Sequence, residues 1–253
     1  MLRPRVIPCL LLQNNALVKT LKFKNPSYIG DPLNAMRIYN ELEVDELILL
    51  SIDAGINNKR PPFKLIADVA EECFMPFTYG GGIKNIDDAK ELFKIGVEKI
   101  ALNAATIENP KLLNDVAEIY GTQAVIAGID VKNNIWGKPK VFIRGGKINT
   151  GIDPVEHAKK VEELGAGEIL LYSIERDGTF MGYDLELIKK LSQAVRIPVI
   201  ACGGAGTIQH FAQAVKIGGA SAVAAGSMMV YQNANKGILI NFPLRKELNA
   251  VLH

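Results

Sequence analysis

The chain has 253 residues, of which 48% are apolar, and a formal net charge of +2. This length and apolar content suffice for one large domain or two small ones with a sizeable core. Without a block of like charge, nucleic acid or a membrane is not expected as the main partner. The apolar run at residues 1–12 is too short for a membrane span and lacks a small-residue cleavage site, so we expect a cytoplasmic protein.

The cysteines and histidines give no sign of a disulfide framework or a metal site. The three cysteines lie in apolar runs, none in CxxC spacing, which is typical of reduced thiols. The three histidines are scattered along the chain and form no ligand cluster. We therefore expect neither a metal nor another cofactor.

Short apolar runs recur along the chain, and a segment of helical period follows each of them. Continuous apolar runs are typical of parallel strands that are covered on both faces. The predicted strands are residues 5–11, 46–52, 75–79, 99–103, 123–130, 168–173, 197–202 and 221–226.

Several of the intervening helices have a clear start. Asp31-Pro32, Asn109-Pro110 and Asp153-Pro154 each place a capping side chain before a proline at the first helical position. The longest stretches predicted to be irregular are residues 13–30 and 132–151. They follow the carboxyl ends of strands one and five, where barrel active sites are built.

Eight βα units in about 250 residues predict a single (β/α)₈ barrel over residues 1–253. A gap-free internal repeat at an offset of 122 positions indicates two fused (β/α)₄ halves and disfavours a doubly wound open sheet. The repeat superimposes residues 46–53 on 168–175, 76–83 on 198–205, 94–96 on 216–218 and 103–105 on 225–227.

Each half carries one glycine-rich turn directly after a strand. Gly80, Gly81 and Gly82 follow strand three, and Gly203 and Gly204 follow strand seven. Such turns let backbone amides approach an anion beside a helix N-terminus, although they also relieve crowding in a tight turn. Two copies favour phosphate binding, and we expect an elongated ligand with a phosphate at each end.

Small or polar residues one strand later complete the two phosphate sites. Asn103 and Ala104 lie at the first site, and Gly226 and Ser227 at the second. Since the first site has a hydroxyl only at Thr106, it should be the weaker one.

Asp130 ends an apolar strand at the expected catalytic face, where an unused carboxylate is costly. We interpret it as a general acid or base in preference to a structural carboxylate. The equivalent residue in the first half is Leu11, which cannot transfer a proton. Lys19, predicted in a polar loop, is either a phosphate contact or a solvated lysine. Asp177-Gly178 orders the loop after strand six or contacts a substrate hydroxyl.

The chain resembles the HisF family, the cyclase subunit of imidazole glycerol phosphate synthase, over essentially its whole length. The motifs that carry the resemblance are Asp45-Glu-Leu47, Phe77-Thr-Tyr-Gly-Gly-Gly-Ile83, Glu108-Asn-Pro110, Gln123-Ala-Val125, Asn149-Thr-Gly151, Gly165-Ala-Gly-Glu-Ile-Leu-Leu171, Ser173-Ile-Glu-Arg-Asp-Gly178 and Ala201-Cys-Gly-Gly-Ala-Gly206.

The resemblance implies a barrel that takes ammonia from a glutaminase docked on its opposite face. With it, HisF cleaves and cyclises a bis-phosphorylated aminoimidazole carboxamide ribonucleotide, using aspartates on strands one and five as acid and base. Asp130 matches the second aspartate, but Leu11 replaces the first, and Ser51 stands where the family commonly has an aspartate. The family's strand-one lysine matches Lys19. Its phosphate-binding positions match Gly82, Asn103, Gly204, Gly226 and Ser227.

The resemblance also implies an ammonia gate at the bottom of the barrel. Its four residues match Arg5, Glu46, Lys99 and Glu168, at the starts of strands one, two, four and six. From the residues alone, a salt-bridged layer that merely closes the barrel is the competing interpretation.

The loss of one acid/base residue bears on which HisF-like function to expect. Such a residue typically contributes roughly 10²–10⁴-fold to rate. The segments 5–12 and 224–229 resemble a HisF-like branch of surface-polysaccharide clusters, which works with a HisH-like glutaminase and a sugar amidotransferase that makes acetamidino sugars. We therefore expect an ammonia-conducting subunit of such a system that also binds a phosphorylated small molecule. The alternatives are an authentic cyclase, a non-catalytic scaffold that activates a glutaminase and, more weakly, a HisA-type isomerase.

Overall fold

The computed structural model describes residues 4–57, 59–232 and 237–252, and its strands belong to one sheet. The strands are β1 (Arg5–Gln13), β2 (Ala16–Leu21), β3 (Lys24–Gly30), β4 (Leu47–Ser51), β5 (Phe77–Gly80), β6 (Lys99–Leu102), β7 (Val125–Asn133), β8 (Pro139–Ile143), β9 (Ile148–Asn149), β10 (Glu168–Ser173), β11 (Val199–Cys202) and β12 (Ala222–Ala225).

Eight of these strands are parallel and close into a barrel. Their order is β10-β11-β12-β1-β4-β5-β6-β7, and β7 pairs back with β10. The predicted (β/α)₈ barrel is thus confirmed. The eight predicted strands correspond to these eight with ends shifted by at most three residues, and Thr122–Ala124 forms a 3₁₀ turn instead of the start of β7.

The helices alternate with the barrel strands and cover the outside of the sheet. They are α1 (Pro32–Glu41), α2 (Phe63–Glu72), α3 (Ile86–Lys94), α4 (Ala105–Glu108), α5 (Pro110–Tyr120), α6 (Pro154–Glu163), α7 (Leu185–Ala194), α8 (Ile208–Lys216), α9 (Ser227–Val230) and α10 (Arg245–Leu252). None of the helices in the described part of the chain is both long and apolar enough to cross a membrane.

The capping predictions hold at two of the three Asx-Pro sites. Asp31 accepts a hydrogen bond from the Asn34 backbone amide, and Asp153 caps α6 in the same way. Asn109 precedes α5 as predicted but does not cap it. Its side-chain amide instead donates to the carbonyl oxygen of Lys84 at 3.4 Å, so its carboxamide is used between two loops.

The two stretches predicted to be irregular are in fact antiparallel extensions of the sheet, so that expectation was wrong. Strand β2 pairs with β1 and β3, and β8 pairs with β7 and β9. Asn14 and Asn15, both at positive φ, form the turn between β1 and β2. The apolar stretches of these extensions, such as residues 16–18 and 141–143, are short because polar residues and turns interrupt them, so they lack the continuous apolar run of a barrel strand.

Two apolar clusters result from closing the barrel. The larger one lies between the sheet and the helices, and the smaller one fills the barrel interior. The interior cluster is formed by Ile7, Cys9, Ile48, Ala101, Ile126, Leu170, Tyr172, Ile200, Cys202, Ala222 and Ala224. Any site above this cluster is therefore separated from the opposite end of the barrel by apolar side chains.

Candidate functional site

A cavity of 390 Å³ lies at the carboxyl ends of the barrel strands. Its inner wall consists of strand residues, including Leu11 and Asp130, and one side consists of the glycine turn after β5. Asn103, Ala104 and Ala105 continue that side. The cavity thus brings the predicted acid/base position together with the predicted first phosphate site.

The Asp130 carboxyl belongs to the half-buried rim of this cavity, at the level of Tyr172 on the neighbouring strand. Burial raises the pKa of Asp130 to about 7, and the nearby Asp177 carboxylate contributes to the same effect. A carboxyl group that titrates near neutral pH can both donate and accept a proton under ordinary conditions. This geometry suits a general acid or base.

Leu11 lines the same cavity and is almost completely buried. Its hydrocarbon side chain neither transfers a proton nor binds a charged group. Ser51, on the adjacent strand, also lines the cavity, and its hydroxyl donates to the Asp53 carboxylate at 3.2 Å. The first half therefore contributes apolar and neutral groups where the second half contributes Asp130.

Asp177 joins the loop after β10 to the β2–β3 hairpin. Its carboxylate accepts hydrogen bonds from the Thr20 hydroxyl at 2.6 Å, the Tyr172 hydroxyl at 2.9 Å and the Phe23 amide at 3.1 Å. Its own carbonyl accepts from the Lys22 amide at 3.0 Å. These contacts favour the loop-ordering interpretation of Asp177.

Gly178 permits this close approach. A β-carbon at Gly178 would lie 2.4 Å from the carbonyl oxygen of Thr20, and its φ is +69°. Any other residue at this position would separate the loop from the hairpin. The two residues thus hold the hairpin down, which is a positioning role.

Aromatic rings and an ion pair form the roof of the cavity. Phe23 packs edge-on against Tyr172, with their ring centroids 4.9 Å apart. Arg144 and Glu108 also line the cavity, and the Arg144 guanidinium forms two hydrogen bonds with the Glu108 carboxylate, at 2.9 and 3.0 Å. These contacts hold the aromatic pair and the ion pair in place at the cavity.

Lys19 lies on strand β2 and is buried, so its predicted place in a polar loop was wrong. Its ammonium group donates to the carbonyl oxygen of Cys9 at 2.5 Å and lies against Gly226. Burial lowers the pKa of Lys19. A solvated lysine is thereby excluded, and the ammonium lies beside a predicted phosphate position.

The second glycine turn lies outside the cavity. Gly203 and Gly204 are buried, with φ of +94° and +107°. The Gly182 amide donates to the Gly204 carbonyl at 2.8 Å, so the loop after β10 covers this turn. The open cavity therefore lies at the turn where we expected the weaker phosphate site, and Ser227 is half-buried outside it.

Thr106 does not supply the first site with a free hydroxyl. It is buried, donates to the Asn103 carbonyl at 2.7 Å and contacts the ring of His157 at 2.9 Å. The expectation that its hydroxyl serves this site was therefore wrong, because the start of α4 turns the side chain towards α6. Asn103 is also engaged, since its amide donates to the Gly128 carbonyl at 3.0 Å.

At the opposite end of the barrel, Arg5, Glu46, Lys99 and Glu168 form a closed ring of alternating charge. Arg5 contacts Glu46 at 2.5 Å and Glu168 at 3.0 Å. Lys99 contacts the same two carboxylates at 3.0 and 3.3 Å. The structure brings together all four predicted gate residues, and the conduction of ammonia through them stays a prediction.

Sequence reasoning missed the residues that roof the cavity. Comparison of the two halves could have pointed to Tyr172, because the equivalent residue of the first half is Leu50. Phe23, Arg144 and Glu108 come from segments with no such internal reference. No group of three potential metal-ligating side chains is found among residues 4–57, 59–232 and 237–252.

Comparison with known proteins places these features in a family. A family model described as histidine biosynthesis protein matches residues 5–235. A protein of Pseudomonas aeruginosa is 48% identical over 243 residues, which cover 96% of this chain and 97% of that protein. A protein of Leptospira interrogans is 46% identical over the full length of both chains. Both are named "Putative imidazole glycerol phosphate synthase subunit", as hisF2 and HisF. The imidazole glycerol phosphate synthase subunit HisF of Alkaliphilus metalliredigens is 41% identical over 93% of each chain.

The raised pKa of Asp130 makes the free energy of unfolding depend on pH. An aspartate has a pKa of about 3.9 in an unfolded chain, and each pH unit between that and the folded value of about 7 costs the folded state about 1.4 kcal/mol. Asp130→Asn should therefore change stability little at pH 4 and increase it by up to about 4 kcal/mol at pH 8. Urea unfolding at both pH values measures this, with Glu175→Gln, an exposed carboxylate, as control. Equal gains at both pH values would contradict the assignment.

The contacts of Asp177 predict how the hairpin opens. Asp177→Ala removes the acceptor of three hydrogen bonds, so hydrogen exchange should accelerate at the Phe23 amide and across β2 and β3. Mass-spectrometric hydrogen exchange measures this effect. Glu175→Ala, in the same loop, should leave the exchange rates of the hairpin amides unchanged. If Asp177→Ala also left them unchanged, Asp177 would not hold the hairpin in place.

Proposed function

The chain belongs to the HisF family, and we propose that within it the barrel conducts ammonia from a glutaminase to a second enzyme and makes no imidazole ring itself. The acceptor is a sugar amidotransferase that converts an acetamido group into an acetamidino group. The product is a surface-polysaccharide sugar, and the barrel retains a site for a phosphorylated small molecule.

The observation that carries this proposal is Leu11, which faces the same cavity as Asp130. A ring closure that needs an acid and a base on opposite sides of the substrate has only one of them here. The neighbouring Ser51 is neutral and its hydroxyl is bound to Asp53. The cavity therefore lacks the proton-transfer pair that a dedicated cyclase uses.

The ring and the apolar interior support a conducting role. Ammonia is small and uncharged, so it crosses an apolar interior at lower cost than ammonium, which would have to lose its hydration. The four charged groups contact one another around the entrance, and the interior cluster extends from there to the cavity. A glutaminase of the HisH type at this entrance would deliver ammonia directly into the barrel.

The sugar amidotransferase as acceptor rests on the sequence of the first and last barrel strands, β1 and β12, which pair with each other. Residues 5–12 and 224–229 resemble the HisF-like branch of surface-polysaccharide clusters. They supply inner strand positions, including Ile7, Cys9 and Ala224. These residues support the assignment to that branch through resemblance alone.

An authentic imidazole glycerol phosphate synthase cyclase is the second candidate. Asp130 with its pKa of about 7 and the glycine turn in the cavity favour it. A scaffold that only activates a glutaminase differs from both, because it requires no passage through the barrel. A HisA-type isomerase is disfavoured, since it needs no charged ring and the three relatives above carry the name of HisF subunits.

Cyclase turnover distinguishes the first two candidates. With ammonium and the bis-phosphorylated ribonucleotide, we expect a rate roughly 10²–10⁴-fold below that of a HisF from a histidine pathway. Leu11→Asp should raise the rate, whereas the similarly sized Leu11→Asn should not, because only the acid can transfer a proton. The formation of imidazole glycerol phosphate is the measurement. Wild-type turnover equal to that of an authentic HisF would contradict the proposal.

The ring predicts a difference between two nitrogen sources. Lys99→Met breaks the ion pairs with Glu46 and Glu168. The rate of glutamine-dependent amidation by the barrel, glutaminase and amidotransferase together should therefore fall about tenfold or more. The rate of amidation with excess ammonium should stay within about twofold of the wild-type rate. Lys111→Met, which breaks only a surface pair with Asp115, should leave both rates unchanged. Parallel losses in both assays, or no loss, would show that the ring does not gate ammonia.

A further inference from the structure

The two extensions of the sheet above the cavity are basic and contain no acidic residue. Residues 14–30 and 131–152 contain eight lysines and arginines and no aspartate or glutamate. Since the formal net charge of the whole chain is only +2, the residues outside these two segments have a formal net charge of −6. Lys19 is buried and Arg144 is paired with Glu108, which leaves six lysines of these segments on the face opposite the charged ring, where they attract an anionic surface.

Large apolar side chains project from the same segments. Ile135 and Trp136, at the tip of the β7–β8 hairpin, are 93% and 80% exposed, and Tyr28 on β3 is 66% exposed. The Asn134 side chain accepts from the Trp136 amide at 2.9 Å and from the Lys138 amide at 3.0 Å. The hairpin therefore holds its apolar tip in solvent in a fixed shape, and neither Ile135 nor Trp136 lines the cavity.

The two extensions meet over the cavity. A β-carbon placed on Gly146, between β8 and β9, would lie 3.4 Å from the ring of Phe23 on the other extension. Asp177 fixes the first extension, and the Arg144–Glu108 pair fixes the second. The surface formed by residues 21–28 and 132–148, called the platform below, is thus continuous and pre-organised for binding.

We propose that the platform docks an acidic surface of the ammonia-consuming enzyme, with Ile135 and Trp136 as its apolar anchors. This inference rests on the proposed function, which requires ammonia to leave the barrel at the face that carries the platform. Exposed tryptophan with basic neighbours is typical of protein interfaces, where tryptophan and arginine contribute most of the binding energy. Steering of a phosphorylated ligand would account for the lysines but not for an apolar tip outside the cavity.

A protein partner fits these residues better than a nucleic acid. Non-specific strand binding uses successive aromatic side chains along a basic groove. Within the platform, the two most exposed large apolar residues are neighbours at one hairpin tip, and only one of them is aromatic. Their arrangement resembles a single anchor for a pocket in a partner.

Trp136 is the single tryptophan of the chain and so reports on the platform directly. A chain labelled with 5-fluorotryptophan gives one ¹⁹F resonance. Addition of the purified sugar amidotransferase of the source organism should shift or broaden it, whereas the purified glutaminase, docked at the ring, should not. An unchanged resonance at saturating amidotransferase, or the same change with a 20-nucleotide RNA, would overturn the proposal.

Substitutions then test the two components of the surface by calorimetric titration with the amidotransferase. The double variant Ile135→Ser, Trp136→Ser should weaken binding at least tenfold. The double variant Lys138→Glu, Lys140→Glu should also weaken binding at least tenfold at low salt, and the loss of affinity should be smaller at high salt because salt screens the charges. The matched controls are Ile119→Ser on α5 and Lys189→Glu with Lys190→Glu on α7, all exposed residues outside the platform. Equal losses in the controls would contradict the docking site.

Glutamine-dependent amidation by the three proteins separates this inference from the function on which it rests. Undiminished amidation with the Ile135→Ser, Trp136→Ser chain would overturn the platform and leave the proposed function intact. No amidation with the wild-type chain, while the amidotransferase works with ammonium, would overturn both. Amidation that falls with binding supports both.

Discussion

Four buried or half-buried charges at one end of the barrel are tolerated only because they neutralise one another. Closing eight strands forces Arg5, Glu46, Lys99 and Glu168 to share the narrow barrel end, and each cation contacts both carboxylates. Removing one member would leave the ring with one uncompensated charge, and an uncompensated charge of a buried ion pair costs about 3–5 kcal/mol. The ring therefore covers one end of the apolar barrel interior with charges that pair with one another.

The other end of the barrel has lost its symmetry. The two halves share a fold and a glycine turn, but Leu11, Leu50 and Gly55 stand where the second half has Asp130, Tyr172 and Asp177. Those three residues form one connected group, because Tyr172 donates to Asp177 and the Asp177 carboxylate raises the pKa of Asp130. The second half thus holds the titratable group, whereas the roof combines Tyr172 and Arg144 from the second half with Phe23 and Glu108 from the first.

The sequence was sufficient to predict the barrel and its eight strands, because these depend on continuous apolar runs and on one internal repeat, whereas the four ring residues were predicted from the resemblance to the HisF family. It did not reveal the two antiparallel extensions, since the apolar stretches of those strands are short and interrupted by polar residues. Lys19 was misplaced for the same reason. Thr106 and Asn109 were assigned by residue type alone, and their hydrogen bonds depend on which way a short turn directs the side chain. Contacts distant in sequence, such as Asp177 with Thr20, left no local pattern to detect.

Together these features describe a HisF-family barrel with a ring of four paired charges at one end and an asymmetric upper face at the other, between which we propose that ammonia passes. The most direct test of that description follows nitrogen through the assembly. Glutamine labelled with ¹⁵N in its amide is supplied to the barrel, glutaminase and amidotransferase in the presence of excess unlabelled ammonium, and the ¹⁵N content of the acetamidino sugar is measured by mass spectrometry. Conduction inside the barrel predicts a product with nearly the isotopic enrichment of the glutamine amide. A product diluted to the isotopic composition of the bulk ammonium would contradict it.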